Sequence, residues 1–110
     1  MTYNKQSTRY YSERQEKRVA KKIGGKVVPN SGAATFVAGD VVLDDWLIEC
    51  KTSVKERASA PIAKKWITKN VEEAFAMGKH HSAIAFNFGP DEPNYYVISE
   101  KEFQRLLEID

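Results

Sequence analysis

The residues of this sequence whose types and spacing could do chemistry are Asp40, Glu49 and Lys51. Two runs rich in Val, Ile, Leu and aromatics, residues 36–43 and 46–52, flank Asp44-Asp45, which predicts a β-hairpin turning on those two aspartates. With a two-residue loop, Leu43 faces Trp46, Val42 faces Leu47, Val41 faces Ile48, and Asp40 faces Glu49. Side chains directly opposite in such a ladder have Cβ atoms about 5 Å apart, where two carboxylates repel unless a cation lies between them. Lys51 follows Glu49 by two residues and shares its face through strand alternation, whereas Trp46, Ile48 and Cys50 point to the other side.

Phosphodiester hydrolysis needs a metal to neutralise phosphate charge and acidify a water, together with a group that orients that water. Oxygen ligands suit Mg²⁺, with Mn²⁺ as its substitute. In this reading Asp40 and Glu49 hold the metal and the backbone carbonyl of Cys50 completes the shell. Lys51 then orients the nucleophile or stabilises the charge of the transition state. The competing structural reading is a solvated outer face of the hairpin, on which Lys51 merely offsets the two acids. Asp44 and Asp45 read as solvated turn residues and lie outside the site. His80-His81 is poorly spaced for one ion on a regular element, and favourable charge near a helix C-terminus explains it.

The elements that must position these groups follow from hydrophobic period. Ser12 and Gln15 resemble a capping box, and Val19, Ala20 and Ile23 continue at helical spacing until Gly24-Gly25, predicting a helix over residues 12–23. Residues 26–28 form a brief strand that runs into turn residues 29–32. After the hairpin, Pro61 suits a first helical turn ahead of an apolar face of Ile62, Ala63, Trp66, Ile67, Val71, Ala74 and Phe75, closed by Gly78. Trp66, in phase with Ile62 and Ala63, reads as core or interface rather than a base-stacking platform. Strands over 82–88 and 95–98 and a helix over 100–108, with Phe103, Leu106 and Leu107 inward, complete an α-β-β-β-α-β-β-α order. The expected architecture is α/β: one domain, with a single mixed central sheet flanked by helices.

With 110 residues the chain suits one compact core, and it has no apolar run near the ~18 residues needed to cross a bilayer. Its polar beginning lacks the apolar core of a signal peptide, and its single cysteine, Cys50, rules out an internal disulfide and a Cys-based zinc site. A cytoplasmic location, away from membranes, is therefore expected. The net charge of +2 conceals polarity: residues 1–26 hold eight Lys or Arg against two Glu, while residues 91–110 hold two against six acids. A basic first third containing Tyr3, Tyr10 and Tyr11 suits phosphate backbones, although a solubilised helix would have the same composition.

Gly39-Asp40, eight residues, then Glu49-Cys50-Lys51 resembles the D…(D/E)-x-K motif of the PD-(D/E)xK nuclease superfamily, with glycine where proline is common. The expected element order over residues 12–88 is similar to that superfamily's restriction-endonuclease-like core. Many members carry a further glutamate on the first helix. Glu16 occupies the inward face before Val19, Ala20 and Ile23, with Glu13 as the competing choice one turn earlier. The segment E-K-R-V-A-K-K-I resembles the first helix of archaeal-type and phage Holliday junction resolvases, in which that glutamate reaches the metal site. The same resemblance makes Ser31, in the loop before Asp40, a phosphate or active-site contact, against the plain alternative of a turn serine. It implies a homodimer that nicks four-way DNA junctions in pairs. Lys5, Arg9, Arg14, Lys17, Arg18, Lys21 and Lys22 are the candidate backbone contacts, and Lys64, Lys65 and Lys69 could line the DNA path.

Overall fold

The structure is a computed structural model that describes residues 8–28 and 39–108. Lys5, the whole of loop 29–35 with Ser31, and the start of the strand expected at residue 36 lie outside the described residues. The element order is α1 (Thr8–Ile23), β1 (Lys26–Val27), β2 (Gly39–Leu43), β3 (Trp46–Lys51), α2 (Lys64–Ala76), β4 (His81–Phe86), β5 (Tyr95–Val97) and α3 (Glu100–Leu106). This is the α-β-β-β-α-β-β-α order expected from hydrophobic period, arranged as one mixed sheet with strand order β1-β2-β3-β4-β5.

α1 begins a turn before Ser12, so Ser12 lies inside the helix and does not cap it. Pairs at i,i+4 spacing support the added turn: Arg9 Nε is 3.2 Å from Glu13 Oε2, and the Arg14 guanidinium lies 5.6 Å from the Tyr10 ring centroid. Gly24, at φ 77°, ends the helix in the left-handed region, and the Gly25 amide donates back to the Ala20 carbonyl at 2.9 Å. A Cβ on Gly25 would fall 2.7 Å from the Val42 carbonyl oxygen, so only glycine lets the helix exit run this close to β2.

The β2–β3 register pairs Leu43 with Trp46, Val42 with Leu47, Val41 with Ile48 and Asp40 with Glu49, as the two-residue Asp44-Asp45 turn predicts. β3 is the middle strand, antiparallel to β2 and parallel to β4, so residues 52–80 with α2 supply the crossover that parallel pairing requires. Alternation divides the sheet into two faces. Val41, Ile48, Cys50, Ala83 and Ala85 pack with Val19 and Ala20 of α1 into one buried cluster. Asp40, Leu47, Glu49 and Lys51 point to the opposite face, under α2.

Two apolar faces differ from expectation. In α2 the buried residues are Asn70 and Ala74, with Trp66 half-buried one turn before them, whereas Ile67, Val71 and Phe75 face outward. The apolar arc of this helix is wider than the sheet it covers. Seating the Trp66–Asn70–Ala74 row turns the neighbouring row by about 100° toward solvent. Asn70 locks that rotation by donating Nδ2 to the Ala83 carbonyl at 3.0 Å. Pro61 precedes the helix and is not in its first turn, since the helix starts at Lys64 and Ala63 is its N-cap, extended at ψ 136°. α3 buries none of its residues, and Phe103, Leu106 and Leu107 are exposed, because the helix meets the sheet through the polar contact of Glu102 with His81 of β4 at 2.9 Å and not through its apolar residues.

Candidate active site

Glu49 is 3% exposed in the middle of the central strand, a position where both faces are covered and apolar side chains are the norm. Its Oε2 pairs with Lys51 Nζ at 3.0 Å, and its Oε1 is buried without a hydrogen-bond partner. Directly across the ladder, Asp40 is half-buried, and its Oδ1 is likewise enclosed without a partner. Buried carboxylate oxygens are normally satisfied, so two unsatisfied ones on directly paired residues mark a place where stability is given up. Burial, and then the charges of Glu73, Glu49 and Glu16, push the Asp40 carboxyl up to about 7, with Lys69 opposing.

Glu16 is 9% exposed on α1, and burial, followed by the Glu13 charge, pushes its carboxyl up to about 7 against Arg9 and Lys17. Glu13 is solvent-facing and engaged with Arg9, so of the two helix glutamates Glu16 is the enclosed one. Glu16 belongs to the layer that covers the Val41–Ile48–Cys50 face, opposite the side toward which Asp40 and Glu49 point, yet its charge is felt at Asp40. Asp40, Glu49 and Lys51 are therefore brought together on one face, whereas Glu16, expected to reach the same site, lies in the layer on the other. Among the described residues no three His, Cys, Asp or Glu side chains converge into a metal cage. The Cys50 thiol is buried and pushed far up, first by burial and then by the charges of Glu16, Asp40 and Glu49, which keeps it protonated and inert. Its backbone runs in the ladder between Gly39 and Ala85.

Three contributors to the site carry no signal in the sequence motif. Trp66 places its ring centroid 4.6 Å from Lys51 Nζ. Glu73 on α2, 3.9 Å from Lys69 Nζ, is the foremost charge acting on Asp40. Gln15, 2% exposed, sends Nε2 toward the Lys51 carbonyl at 2.9 Å, the Ala85 carbonyl at 3.2 Å and Asn94 Oδ1 at 3.0 Å. That amide joins α1 to the ends of β3 and β4 and to the loop before β5. Helical phase places Gln15 beside Glu16 on the inward face, the one sequence signal that could have singled it out.

Comparison of the chain with protein-family models, curated proteins and solved structures finds no match.

The proposed nucleic-acid contacts on α1 divide into two groups. Arg14 Nη2 is 2.6 Å from Asp91 Oδ1, Arg18 Nη2 donates to the Glu92 carbonyl at 3.1 Å, and Arg9 is taken by Glu13. Arg14 and Arg18 thus clamp α1 to the 89–94 loop. Lys17, Lys21 and Lys22 are solvent-exposed, and no ion pair to them is found among the described residues. Asp45 engages His80 at 2.8 Å, and His81 Nδ1 lies 2.9 Å from Glu102, so both histidines are accounted for by the turn and by α3. Among the described residues no helix is long and apolar enough to cross a membrane.

Proposed function

We propose that this chain is a divalent-metal-dependent DNA endonuclease with a restriction-endonuclease-like core, acting on four-way junctions as a homodimer. The observation that carries the reading is the pair Asp40 and Glu49, directly opposed, each with one buried and unpartnered carboxylate oxygen, beside the Lys51 ammonium. Two hard oxygen donors separated by mutual repulsion fit Mg²⁺ or Mn²⁺. Asp40, Glu49 and the Cys50 carbonyl would hold the ion, with Glu16 adding negative charge from α1. Bound there, the ion supplies Lewis acidity toward a phosphate oxygen and toward a water. Lys51 supplies a fixed positive charge and proton donors for the phosphoryl oxygens, held by Glu49 and Trp66.

Substrate choice rests on charge and shape. The exposed Lys17, Lys21 and Lys22 offer phosphate contacts without base readout, which suits a substrate recognised by backbone geometry. A symmetric dimer is supported by the uncovered rows Ile67–Val71–Phe75 and Phe103–Leu106–Leu107, 39% to 83% exposed, since apolar surface of this extent marks contact sites.

The test incubates the purified chain with a labelled four-way junction and with linear duplex, in Mg²⁺ or EDTA, alongside Asp40→Asn. Paired nicks in the junction alone, lost with EDTA or the substitution, are the expected result. Equal cutting of both substrates would assign another DNA to the same site, and junction binding without cleavage in Mg²⁺ or Mn²⁺ would overturn the enzymatic reading.

A further inference from the structure

The Lys51 ammonium has two contacts of unlike kind. One is ionic, Nζ to Glu49 Oε2 at 3.0 Å, and the other is the face of Trp66, 4.6 Å from Nζ to the ring centroid. A lysine side chain is a point charge on a flexible four-carbon stem, so a lysine that must meet a phosphoryl group in one place needs something to hold it. Glu49 alone serves poorly, because a cation engaging its carboxylate weakens the ion pair at the moment Lys51 is needed. The indole face does not have that defect. It attracts a cation within about 6 Å of its centroid through its quadrupole, and it takes no proton from the ammonium's donors.

The fold also fixes where the indole sits. Trp66 lies in the first turn of α2, on the row continued by Asn70 and Ala74, and the Asn70 Nδ2 bond to the Ala83 carbonyl at 3.0 Å fixes that row against β4. Lys51 ends β3, whose last carbonyl accepts from the buried Gln15 amide at 2.9 Å. Both partners of the cation–π contact therefore stand on anchored backbone.

We propose that Trp66 is a positioning residue for Lys51, its indole holding the ammonium in the site once Glu49 is engaged by metal. The proposal rests on the endonuclease reading of the site, and its test separates the two. In the full chain, Trp66→Leu should lower kcat for junction cleavage about tenfold with KM unchanged, and Trp66→Phe, which keeps an aromatic face, should recover most of it. An unchanged kcat in Trp66→Leu, or a rise in KM alone, would overturn the proposal, the latter by making Trp66 a DNA contact. The second measurement needs no cleavage. Trp46 and Trp66 are the two tryptophans of the chain, so Trp46→Phe leaves Trp66 as the sole indole emitter. In that background Lys51→Met should shift Trp66 emission, and Lys51→Arg should leave it close to the parent. Emission indifferent to Lys51→Met would overturn the contact itself. A wild-type chain that cuts no DNA while this shift is present would overturn the endonuclease reading, and with it the catalytic purpose given to Trp66, but not the contact.

Discussion

Asp40 and Glu49 stand opposite each other across the β2–β3 ladder, and each turns one buried oxygen to no hydrogen-bond partner. Like charges in this position oppose the hairpin that carries them, by about 0.5 kcal/mol for a directly opposed pair. Asp40→Asn is therefore expected to raise stability in EDTA by about that amount while abolishing cleavage in Mg²⁺. Urea unfolding beside the junction assay checks both halves. A less stable Asp40→Asn would mean that the carboxylate makes a structural contact.

The raised carboxyls of Asp40 and Glu16 make stability depend on pH in a defined direction. Their ordinary values are 3.8 and 4.5, and both are pushed up to about 7 in the folded chain. Between those limits the folded state keeps protons that the unfolded state has released, so stability falls as pH rises from about 4 to about 7 and then levels off. On the metal-site reading a divalent cation would bind the ionised form, so its addition should restore the melting temperature chiefly at the alkaline end. Calorimetry at about pH 5 and about pH 8, with and without Mg²⁺, reads this out, and Glu16→Gln should flatten part of the slope. A melting temperature indifferent to both pH and Mg²⁺ would contradict the metal-site reading.

How much of this was legible in the sequence follows from where the information lies. The Asp40–Glu49 register could be read because a two-residue turn fixes every pairing behind it, and the burial of Glu16 because helical phase places it with Val19 and Ala20. The Ile67–Val71–Phe75 row could not be assigned, since hydrophobic period locates an apolar arc but not which part of it a three-residue-wide contact will use. Trp66 over Lys51 and Gln15 under Lys51 depend on the parallel pairing of β3 with β4 through α2, and no local pattern encodes that pairing. The ties of Arg14 and Arg18 to residues 91 and 92 were hidden for the same reason, so composition counted them as available cations.

Gln15 is the buried joint of the molecule. Its single amide faces the carbonyls of Lys51 and Ala85 and the side chain of Asn94, which Asn87 Nδ2 also approaches at 3.4 Å. Gln15→Leu keeps the volume and strands those acceptors, for an expected loss of about 1–3 kcal/mol in chemical unfolding. Because Lys51 ends the strand that this amide pins, kcat should fall in folded Gln15→Leu as well. Full stability in Gln15→Leu would show that water replaces the amide without cost.

Phe75 is 83% exposed and Val71 51%, on one row of α2. If a second copy covers this row, Val71→Glu should convert dimer to monomer in sedimentation velocity, because a carboxylate in a closed apolar interface is left without a partner. The same substitution on a solvated surface would cost less than about 0.5 kcal/mol and leave the mass unchanged. A dimer that survives Val71→Glu would move the interface elsewhere, with α3 next in line through Phe103, Leu106 and Leu107.

The cations of α1 should separate by function. Lys17, Lys21 and Lys22 are exposed without an ion pair among the described residues, whereas Arg14 and Arg18 are spent on Asp91 and the Glu92 carbonyl. Each lysine that contacts a phosphate releases counterions on binding, so its replacement by alanine should reduce the slope of log K against log salt by about 0.9. Arg14→Ala should leave that slope nearly unchanged and loosen the 89–94 loop instead, which amide exchange at Glu92 would register. The reverse pattern, with the slope carried by Arg14 and not by the lysines, would mean that DNA takes the guanidinium from Asp91. Binding would then require the loop to release α1.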